Sequence, residues 1–513
     1  METILLGALV PLVVLAEFRR PGLGLAFCLA ALPAAYDPRD PAAVRHLAHA
    51  LLAASAAGAF LRSPQDALLA LRSFGTVFLP AIAVLLAWCL WAPARESALV
   101  DVARLAEIAA AAALASRAPR PAAVGAGLGV LLAFASLFFV PSLDEEEVRI
   151  RSSGLLQVAT VAGEFFALSF FILLSNRRGP GGRLSAALSL LAFAGLCMSG
   201  SRGALAGLLA GLLWTGLRWP GFRRIALGGI ATSLALLIAG ILFFPGFRTR
   251  FAAPFDHRLE QWRLAGWLSA GHRMLGIGPG AVERIAEGRP PEVPAYAKEL
   301  RPEVRLPGGR TIRVTVRHIL RNGRIRLRLE TDGHPIPFQG KRVDAFMSGR
   351  PLWAMALDVD GDGAQELLVA RAISRQDSTG DVRNITGRGT RRSSVLSVFA
   401  LEPGPALAAR PVDHARLITH LHNLPLQLAV ETGLPGLLTW LAIPAYFLLR
   451  WRRTGGDGPA LVPEAALIAF LVLSLADVPL FRGINILLGI AIGMREPARE
   501  TNAAGREGLE LRV

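Results

Sequence analysis

The sequence predicts an α-helical polytopic membrane protein with about 12 transmembrane helices and a small β-rich extracytoplasmic domain inserted in one large loop. Three observations predict this class. Hydrophobic residues make up 53% of the 513 residues and charged residues only 18%, whereas soluble chains average about 25% charged residues. Long apolar stretches alternate with short arginine-rich ones. One long segment near the C-terminal end loses the helical pattern and carries strand-like runs.

The apolar stretches give the predicted spans. A membrane-spanning helix needs about 20 predominantly apolar residues. Several candidates, namely 3–17, 22–36, 43–61 and 99–116, are short or weak, so we expect about twelve spans, give or take one. The candidate spans are 3–17, 22–36, 43–61, 74–94, 99–116, 122–141, 155–175, 184–199, 203–217, 225–245, 433–449, 461–477 and 481–494.

The arginines predict which helix ends face the cytoplasm. Arginine clusters lie in alternate loops, and the positive-inside rule places such loops in the cytoplasm. The clusters comprise Arg19, Arg20, Arg62, Arg72, Arg117, Arg120, Arg177, Arg178, Arg183, Arg218, Arg223, Arg224, Arg450, Arg452 and Arg453. By alternation, the acidic stretch 144–147 and the long segment 246–432 face outwards. We therefore expect a multi-pass protein of the bacterial inner (cytoplasmic) membrane, with its large loop extracytoplasmic.

This topology divides the chain into consecutive regions. An N-terminal transmembrane bundle (1–245) is followed by the first part of the extracytoplasmic loop (246–294). A β-rich domain is predicted over 295–404, because short strand-like runs there are separated by Gly and Asp turns. The runs are 311–316, 325–329, 353–357, 367–370 and 395–400. The second part of the loop (405–432), the C-terminal transmembrane helices (433–494) and a cytoplasmic tail (495–513) complete the chain.

The net charge of +16 at pH 7 fits membrane topology better than nucleic-acid binding. The basic residues lie at the ends of apolar stretches, where cytoplasmic loops concentrate them. Cys28, Cys89 and Cys197 lie inside apolar stretches and have neither a disulfide-framework nor a metal-site spacing. The first apolar stretch lacks the basic segment of a cleavable signal peptide. Composition therefore predicts the lipid bilayer as a partner and no nucleic acid.

A histidine pair lies near the end of the predicted outer loop. His420 and His422 are followed by Asn423, by a stretch with a helical pattern, and by the break Gly433-Leu-Pro-Gly436. A histidine at the outer membrane surface can accept a proton near neutral pH, as a general base must. The same residues also fit an interfacial histidine pair with Asn423 as the N-cap of a helix.

Two arginines on the same predicted side are candidates for holding an anion. Arg202 lies in Ser199-Gly-Ser-Arg-Gly203, where its guanidinium can bind a phosphate through paired hydrogen bonds or simply snorkel from a helix end. Arg258 precedes an amphipathic stretch that contains Trp262. The loop Leu275-Gly-Ile-Gly-Pro-Gly280 follows; it can cradle a phosphate with backbone N–H groups or form a plain turn, since it follows no strand.

Taken in order, these motifs resemble those of the O-antigen ligase and polymerase family of polytopic glycosyltransferases. The similarity is carried by Ser-Arg-Gly at 201–203, by Arg258…Trp262…Gly276-Ile-Gly-Pro-Gly280, and by His422-Asn423 followed nine residues later by Gly433. Each motif is short, but the ordered set on one side of the membrane is more specific. The resemblance covers 120–436 without the predicted β-rich domain.

The resemblance implies that a glycan moves from a polyprenyl diphosphate carrier to an acceptor hydroxyl, such as that of a glycolipid, at the outer face of the inner membrane. His422 corresponds to the catalytic base, and Arg202 and Arg258 to the residues that bind the diphosphate. A diphosphate leaving group needs positive charge and a hydroxyl nucleophile needs a base, so we expect no cofactor for catalysis. His420 and Asn423 are secondary candidates. Glu164, a costly carboxylate inside a predicted span, is another, and it equally fits a partner of a buried arginine.

The predicted β-rich domain carries a metal-ligand pattern of its own. Asp358, Asp360, Asp362 and Glu366 occupy positions 1, 3, 5 and 9 of one stretch, with glycines between them. This spacing can wrap oxygen ligands around a hard cation and resembles the calcium loop of FG-GAP-type β repeats. We expect a structural Ca²⁺ here; an unoccupied acidic turn fits the same residues.

Other functions fit parts of the pattern. Ligase and polymerase share the motifs, and the compact His-Asn-x9-Gly spacing favours a ligase; transfer to a protein hydroxyl is a third version. A transporter of lipid-linked sugars would also be polytopic, although the chain shows no convincing internal repeat. A membrane-anchored sensor or scaffold would use the β-rich domain as its binding module.

Overall fold

The structure is a computed structural model, and most of it is helical, with small antiparallel sheets. It describes residues 2–35, 45–91, 95–139, 154–156, 159–177, 181–243, 256–269, 274–279, 281–282, 303–306, 309–319, 325–337, 350–357, 366–374, 392–402, 408–416, 421, 423–454, 461–479 and 484–495.

The helices follow the predicted apolar stretches. In chain order they are α1 (Glu2–Arg19), α2 (Leu23–Ala31), α3 (Arg45–Arg62), α4 (Pro64–Trp91), α5 (Arg95–Arg117), α6 (Pro119–Phe139), α7 (Ala159–Ser175), α8 (Gly182–Ser199), α9 (Arg202–Arg218), α10 (Arg223–Phe243), α11 (Asp256–Ser269), α12 (Leu424–Thr454), α13 (Val462–Ser474) and α14 (Ile484–Arg495). Each predicted span overlaps one helix, and α11 lies in the predicted outer loop.

Among the described residues, 5 helices are long and apolar enough to cross a membrane. They are Pro64–Trp88, Pro119–Phe138, Gly182–Ser199, Pro220–Ala239 and Leu424–Arg453. Shorter apolar helices are Leu47–Arg62, Thr160–Ser175, Val462–Ser474 and Ile484–Arg495. Large apolar side chains on the helix surfaces, such as Leu190, Leu217 and Phe243, are 69%, 73% and 75% exposed. Such surfaces are compatible with a membrane protein, in which lipid covers them.

Glycines set the close approach of two helix pairs. A β-carbon on Gly207 of α9 would lie 2.8 Å from the Ala469 carbonyl oxygen of α13, and one on Gly211 would lie 2.7 Å from the Ala465 oxygen. The contact partners move backward along α13, from Ala469 to Ala465, as the glycines move forward along α9. The two helices are therefore antiparallel. A β-carbon on Gly489 of α14 would lie 2.4 Å from the carbonyl oxygen of Ile108 in α5. Small residues at such contacts let apolar helices pack backbone to backbone.

Two four-stranded antiparallel sheets lie between α11 and α12 in the chain. The first consists of β1 (Glu303–Arg305), β2 (Thr311–Ile319), β3 (Ile325–Thr331) and β4 (His334–Pro335), in that order. The second consists of β5 (Arg350–Leu357), β6 (Glu366–Ser374), β7 (Arg392–Glu402) and β8 (Ala408–Arg416), also in chain order. Every predicted strand-like run lies within one of these strands.

The second sheet extends past the predicted range 295–404. Its last strand, β8, lies in the region 405–432, which the sequence suggested was loop. Pro411 and several charged residues interrupt the alternation of apolar and polar residues in β8, so the sequence pattern did not predict this strand. Proline is tolerated there because β8 is an edge strand, and the pairing of β7 with β8 shifts register between Val398 and Phe399.

The apolar core has two parts relevant to the site. The larger one fills the helical bundle and includes Phe165, Phe171, Phe447 and Trp451. The second cluster combines α11, the loop after it, the second sheet and the start of α12. The second sheet is therefore packed against the helices that carry the predicted site.

Candidate functional site

The corner between α8 and α9 positions Arg202. Helix α8 ends at Gly200, which adopts a left-handed conformation (φ 62°, ψ 21°). Ser201 then caps α9: its side chain accepts a hydrogen bond from the Ala204 N–H at 3.3 Å. Glycine tolerates the left-handed turn and serine is a favoured N-cap, so Gly200 ends α8 and Ser201 starts α9. Arg202 becomes the first residue of α9 and is half-buried.

Helix α7 packs against this corner. A β-carbon on Gly163 would lie 2.5 Å from the Ser201 Cβ and 3.0 Å from the Ser199 Oγ. The next residue, Glu164, is 3% exposed. The structure therefore places Glu164 on the helix that supports the Arg202 corner.

The segment that follows α13 brings a carboxylate to the same corner. A β-carbon on Gly203, next to Arg202, would lie 2.8 Å from the Cβ of Ala476. Asp477 follows Ala476 and accepts a hydrogen bond from the Val478 N–H through its own Oδ1 at 2.9 Å. The sequence reasoning missed Asp477, the last residue of the predicted span 461–477, because it singled out only Glu164, a carboxylate inside a span.

Arg258 of α11 interacts with both charged groups of this corner. Burial lowers the pKa of the Arg258 guanidinium, the negative charge of Asp477 opposes that change, and the positive charge of Arg202 adds to it. Arg202 and Arg258, predicted from separate motifs, are thus close enough in space for the charge of Arg202 to act on Arg258. Asp477 is the acidic member of the group, and we call these three residues the arginine corner.

The start of α12 is tied to the same loop. Asn423 caps α12, since its Oδ1 accepts a hydrogen bond from the Leu426 N–H at 2.9 Å. Its Nδ2 donates to the Leu475 carbonyl oxygen at 3.1 Å. The Leu424 N–H donates to the Asp477 carbonyl oxygen at 3.2 Å. The N-cap role considered for Asn423 is therefore present, and Asn423 also links α12 to the segment that carries Asp477.

His420 and His422 lie outside the described residues. The residues on either side of His422 are both described. Leu421 is fully buried, and its N–H donates to the Gln427 Oε1 at 3.3 Å. Asn423 makes the contacts given above. The chain is thus held immediately before and after His422.

The glycine-rich loop packs on a kink in α12. Gly433 has φ 66° and ψ −168° within that helix, and a β-carbon on it would lie 2.2 Å from the Met274 carbonyl oxygen. The Ile277 and Gly278 N–H groups donate to the Val430 and Glu431 carbonyl oxygens at 2.8 and 2.9 Å. These N–H groups are therefore engaged with α12, which favours the plain-turn interpretation of this loop over a phosphate cradle.

An apolar cavity of 210 Å³ begins beside the capped end of α12. Its lining includes Leu424, which follows Asn423 in the chain, and Leu475, whose carbonyl oxygen accepts the hydrogen bond from Asn423. It continues between α4, α5, α12, α13 and α14, with Phe78, Ile108 and Leu488 among its lining residues. An apolar cavity next to a charged corner suits an amphiphilic ligand.

Buried acids elsewhere have structural partners. The Glu17 carboxylate accepts hydrogen bonds from the Gly22 and Gly24 N–H groups at 2.7 and 2.8 Å. Glu464 accepts from Trp214 Nε1 at 3.3 Å and from Arg495 at 3.4 Å. Trp214 lies toward the end of α9 remote from Arg202. A buried carboxylate alone therefore does not mark a functional site in this fold.

The predicted metal ligands are only partly described. Asp358, Asp360 and Asp362 lie outside the described residues, between the hairpin strands β5 and β6. Glu366 begins β6, pairs in register with Leu357 and is 8% exposed. Among the residues that the structure describes, no three His, Cys, Asp or Glu side chains form a metal-binding group.

Fold and site together are those of a mostly helical protein with apolar helices of membrane-spanning length and a charged corner at one end of the bundle. The chain matches no protein family model, and no functionally characterised protein matches its sequence.

Proposed function

We propose that this protein is a membrane glycosyltransferase that moves a glycan from a polyprenyl diphosphate carrier to an acceptor hydroxyl, in the manner of an O-antigen ligase. The observation that carries the proposal is that Arg202 and Arg258 converge beside Asp477, where α9 packs against the segment after α13 and an apolar cavity begins. Bringing two guanidinium groups together costs Coulombic energy. A diphosphate repays that cost, because its oxygens accept charge-assisted hydrogen bonds from both.

The topology we propose has about twelve spans, an outward-facing arginine corner and an extracytoplasmic β-rich domain, in the bacterial inner membrane. The helix directions support it. α9 and α13 are antiparallel, so the arginine corner lies at one end of the bundle. Arg218, at the other end of α9, lies 5.5 Å from the centre of the Trp214 ring, close to the Glu464 and Arg495 pair. The positive-inside rule assigns the Arg218 end to the cytoplasm.

In the proposed reaction, the acceptor oxygen attacks the anomeric carbon of the glycan. The bond between that carbon and the diphosphate oxygen breaks, and His422 accepts the hydroxyl proton. The negative charge that develops on the leaving diphosphate is stabilised by Arg202 and Arg258. Polyprenyl diphosphate and the glycosylated acceptor are the products. We propose that these steps use no cofactor.

The carrier's two parts match the two halves of the site. Its diphosphate suits the arginine corner, and the first units of its isoprenoid chain suit the apolar cavity lined by Leu424 and Leu475. Asp477 serves as the counter-ion of the arginines before the carrier binds. The proposal places the reacting anomeric carbon between the arginine corner and His422.

A glycolipid gel of the native bacterium tests the proposal. Four strains are compared: wild type, a deletion, His422→Ala, and the control His334→Ala, which changes an exposed histidine of β4. We expect long glycans to disappear from the acceptor in the deletion and in His422→Ala, with carrier-linked chains accumulating, while His334→Ala matches wild type. Immunoblots of the membrane fraction establish equal amounts of each variant.

Other outcomes distinguish the alternatives. Loss of chain length with a surviving single-unit band would indicate a polymerase of the same family. An unchanged ladder in the deletion would contradict the transferase and direct attention to transport, which flux of a lipid-linked sugar across vesicles measures.

A further inference from the structure

The second sheet presents one face to the helices of the site. Along β6, Leu368 and Ala370 belong to the apolar cluster that includes α11 and the start of α12. Val398 of β7, which pairs with Leu368, belongs to it as well. Side chains alternate along a strand, and the intervening Leu367 and Val369 are also fully buried but are not part of that cluster. The sheet therefore has two buried faces with different neighbours.

The helix-facing cluster reaches both parts of the catalytic arrangement. Leu264 and Leu268 come from α11, the helix that carries Arg258. Leu421, which directly precedes His422, and Val430 of α12 are in the same cluster. One continuous apolar contact thus joins the sheet, the helix of one diphosphate-binding arginine and the chain next to the proposed base.

Helix α11 depends on this packing. It has 14 residues, and isolated helices of that length are marginal in water, so tertiary contacts must stabilise it. Its main backbone contacts among the described elements are with α12 and with β8 of the second sheet. The sheet and α12 therefore determine where Arg258 lies.

We infer that the second sheet is a positioning element, in which Leu368 and Val398 hold α11 and the start of α12 at a fixed separation. This inference rests on the proposed function for its catalytic consequence. Reaction rates are sensitive to small displacements, since a shift of about 1 Å can cost roughly 100-fold. The sheet thereby fixes the start of α12 relative to Arg258, instead of serving as a separate binding module.

Hydrogen exchange of the full-length protein in lipid nanodiscs tests the mechanical part. The two variants are Leu368→Ala and the matched control Leu367→Ala, which removes the same atoms from the opposite face of the same strand. In Leu368→Ala we expect amides of 256–269 and 421–430 to exchange about tenfold faster than in wild type, because these segments open locally. In Leu367→Ala they should exchange as in wild type. The segment 484–495 should be unchanged in both.

Transfer activity tests the catalytic part. Leu368→Ala should lower the transfer rate roughly 100-fold, Leu367→Ala should lower it only slightly, and the volume-conserving Leu368→Met should restore it. If Leu368→Ala does not insert into membranes, Val398→Ala and its control Val369→Ala provide the same comparison with a smaller deletion.

Equal exchange of 256–269 and 421–430 in the two leucine variants would overturn the inference, whatever the protein transfers. Selective loosening in Leu368→Ala, in a protein whose wild type transfers no glycan, would support the mechanical role and contradict the proposed function. Selective loosening with full transfer would overturn the catalytic consequence.

Discussion

The positive charge of Arg202, the first residue of α9, acts on the guanidinium of Arg258 in α11. Burial and Asp477 act more strongly on Arg258, yet the positive charge of Arg202 still lowers its pKa. Arg202 is fixed by a capped helix start, and Arg258 by a helix packed on the second sheet. The two cations of the proposed diphosphate site thus come from different elements, α9 and α11.

Arg258→Ala should lower the transfer rate about 100-fold, as does the removal of one group that stabilises a transition-state charge. Arg258→Lys should lose less, since lysine keeps the charge but not the planar pair of donors. The measurement is single-turnover transfer from a purified lipid-linked glycan. Arg263→Ala, an exposed residue of the same helix, is the control, and a full rate in Arg258→Ala would remove Arg258 from the mechanism.

Asp477→Asn should strengthen inhibition by inorganic pyrophosphate. The asparagine retains an oxygen for the Val478 N–H but no longer offsets the two arginines, so the corner becomes more positive. We expect the inhibition constant to fall about fivefold, the equivalent of about 1 kcal/mol. Inhibition assays over a range of salt concentrations measure this effect. A weaker inhibition than in wild type would mean that Asp477 positions the arginines and does not compete with the diphosphate.

The local features of the site could be predicted from the sequence. Asn423 acts as an N-cap because its side chain suits that role in any helix. The helices likewise follow from runs of apolar residues, and β2 and β3 from alternation. Each of these depends on neighbours within a few positions in the chain, which sequence patterns record directly.

The long-range relationships could not be predicted in the same way. Asp477 joins the arginine corner because Gly203 lets α9 approach Ala476, and no local pattern records that contact. The amides of Ile277 and Gly278 were candidate phosphate ligands until their bonds to α12 were seen. β8 escaped detection because its edge position permits a proline that a central strand would exclude.

Gly207→Ala should destabilise the protein by about 1–3 kcal/mol. Its β-carbon would meet the Ala469 carbonyl oxygen at 2.8 Å, so α9 and α13 must separate, and Arg202 must move away from Asp477. The midpoint temperature of thermal unfolding in detergent should fall, and so should the transfer rate. The matched control is Gly228→Ala in α10, where a β-carbon would meet nothing within 4 Å; it should be neutral or stabilising by up to about 1 kcal/mol. Equal effects of the two substitutions would contradict the close helix contact.

Calcium should stabilise the full-length protein if the acidic stretch between β5 and β6 binds it. A free ligand at about 100 times its dissociation constant adds about 2.7 kcal/mol to the stability of the state that binds it. Limited proteolysis of the two sheets with and without Ca²⁺ measures the change. The double substitution Asp358→Asn, Asp362→Asn should abolish the stabilisation, because both changes remove carboxylate charge from the expected ligand set.

Asp332→Asn is the matched control: Asp332 lies in the β3–β4 turn with φ 50°, a conformation that asparagine also tolerates. Mg²⁺ should protect less, since it demands a smaller and more regular oxygen shell. Equal protection by both ions, or none by either, would leave an acidic turn without a calcium site.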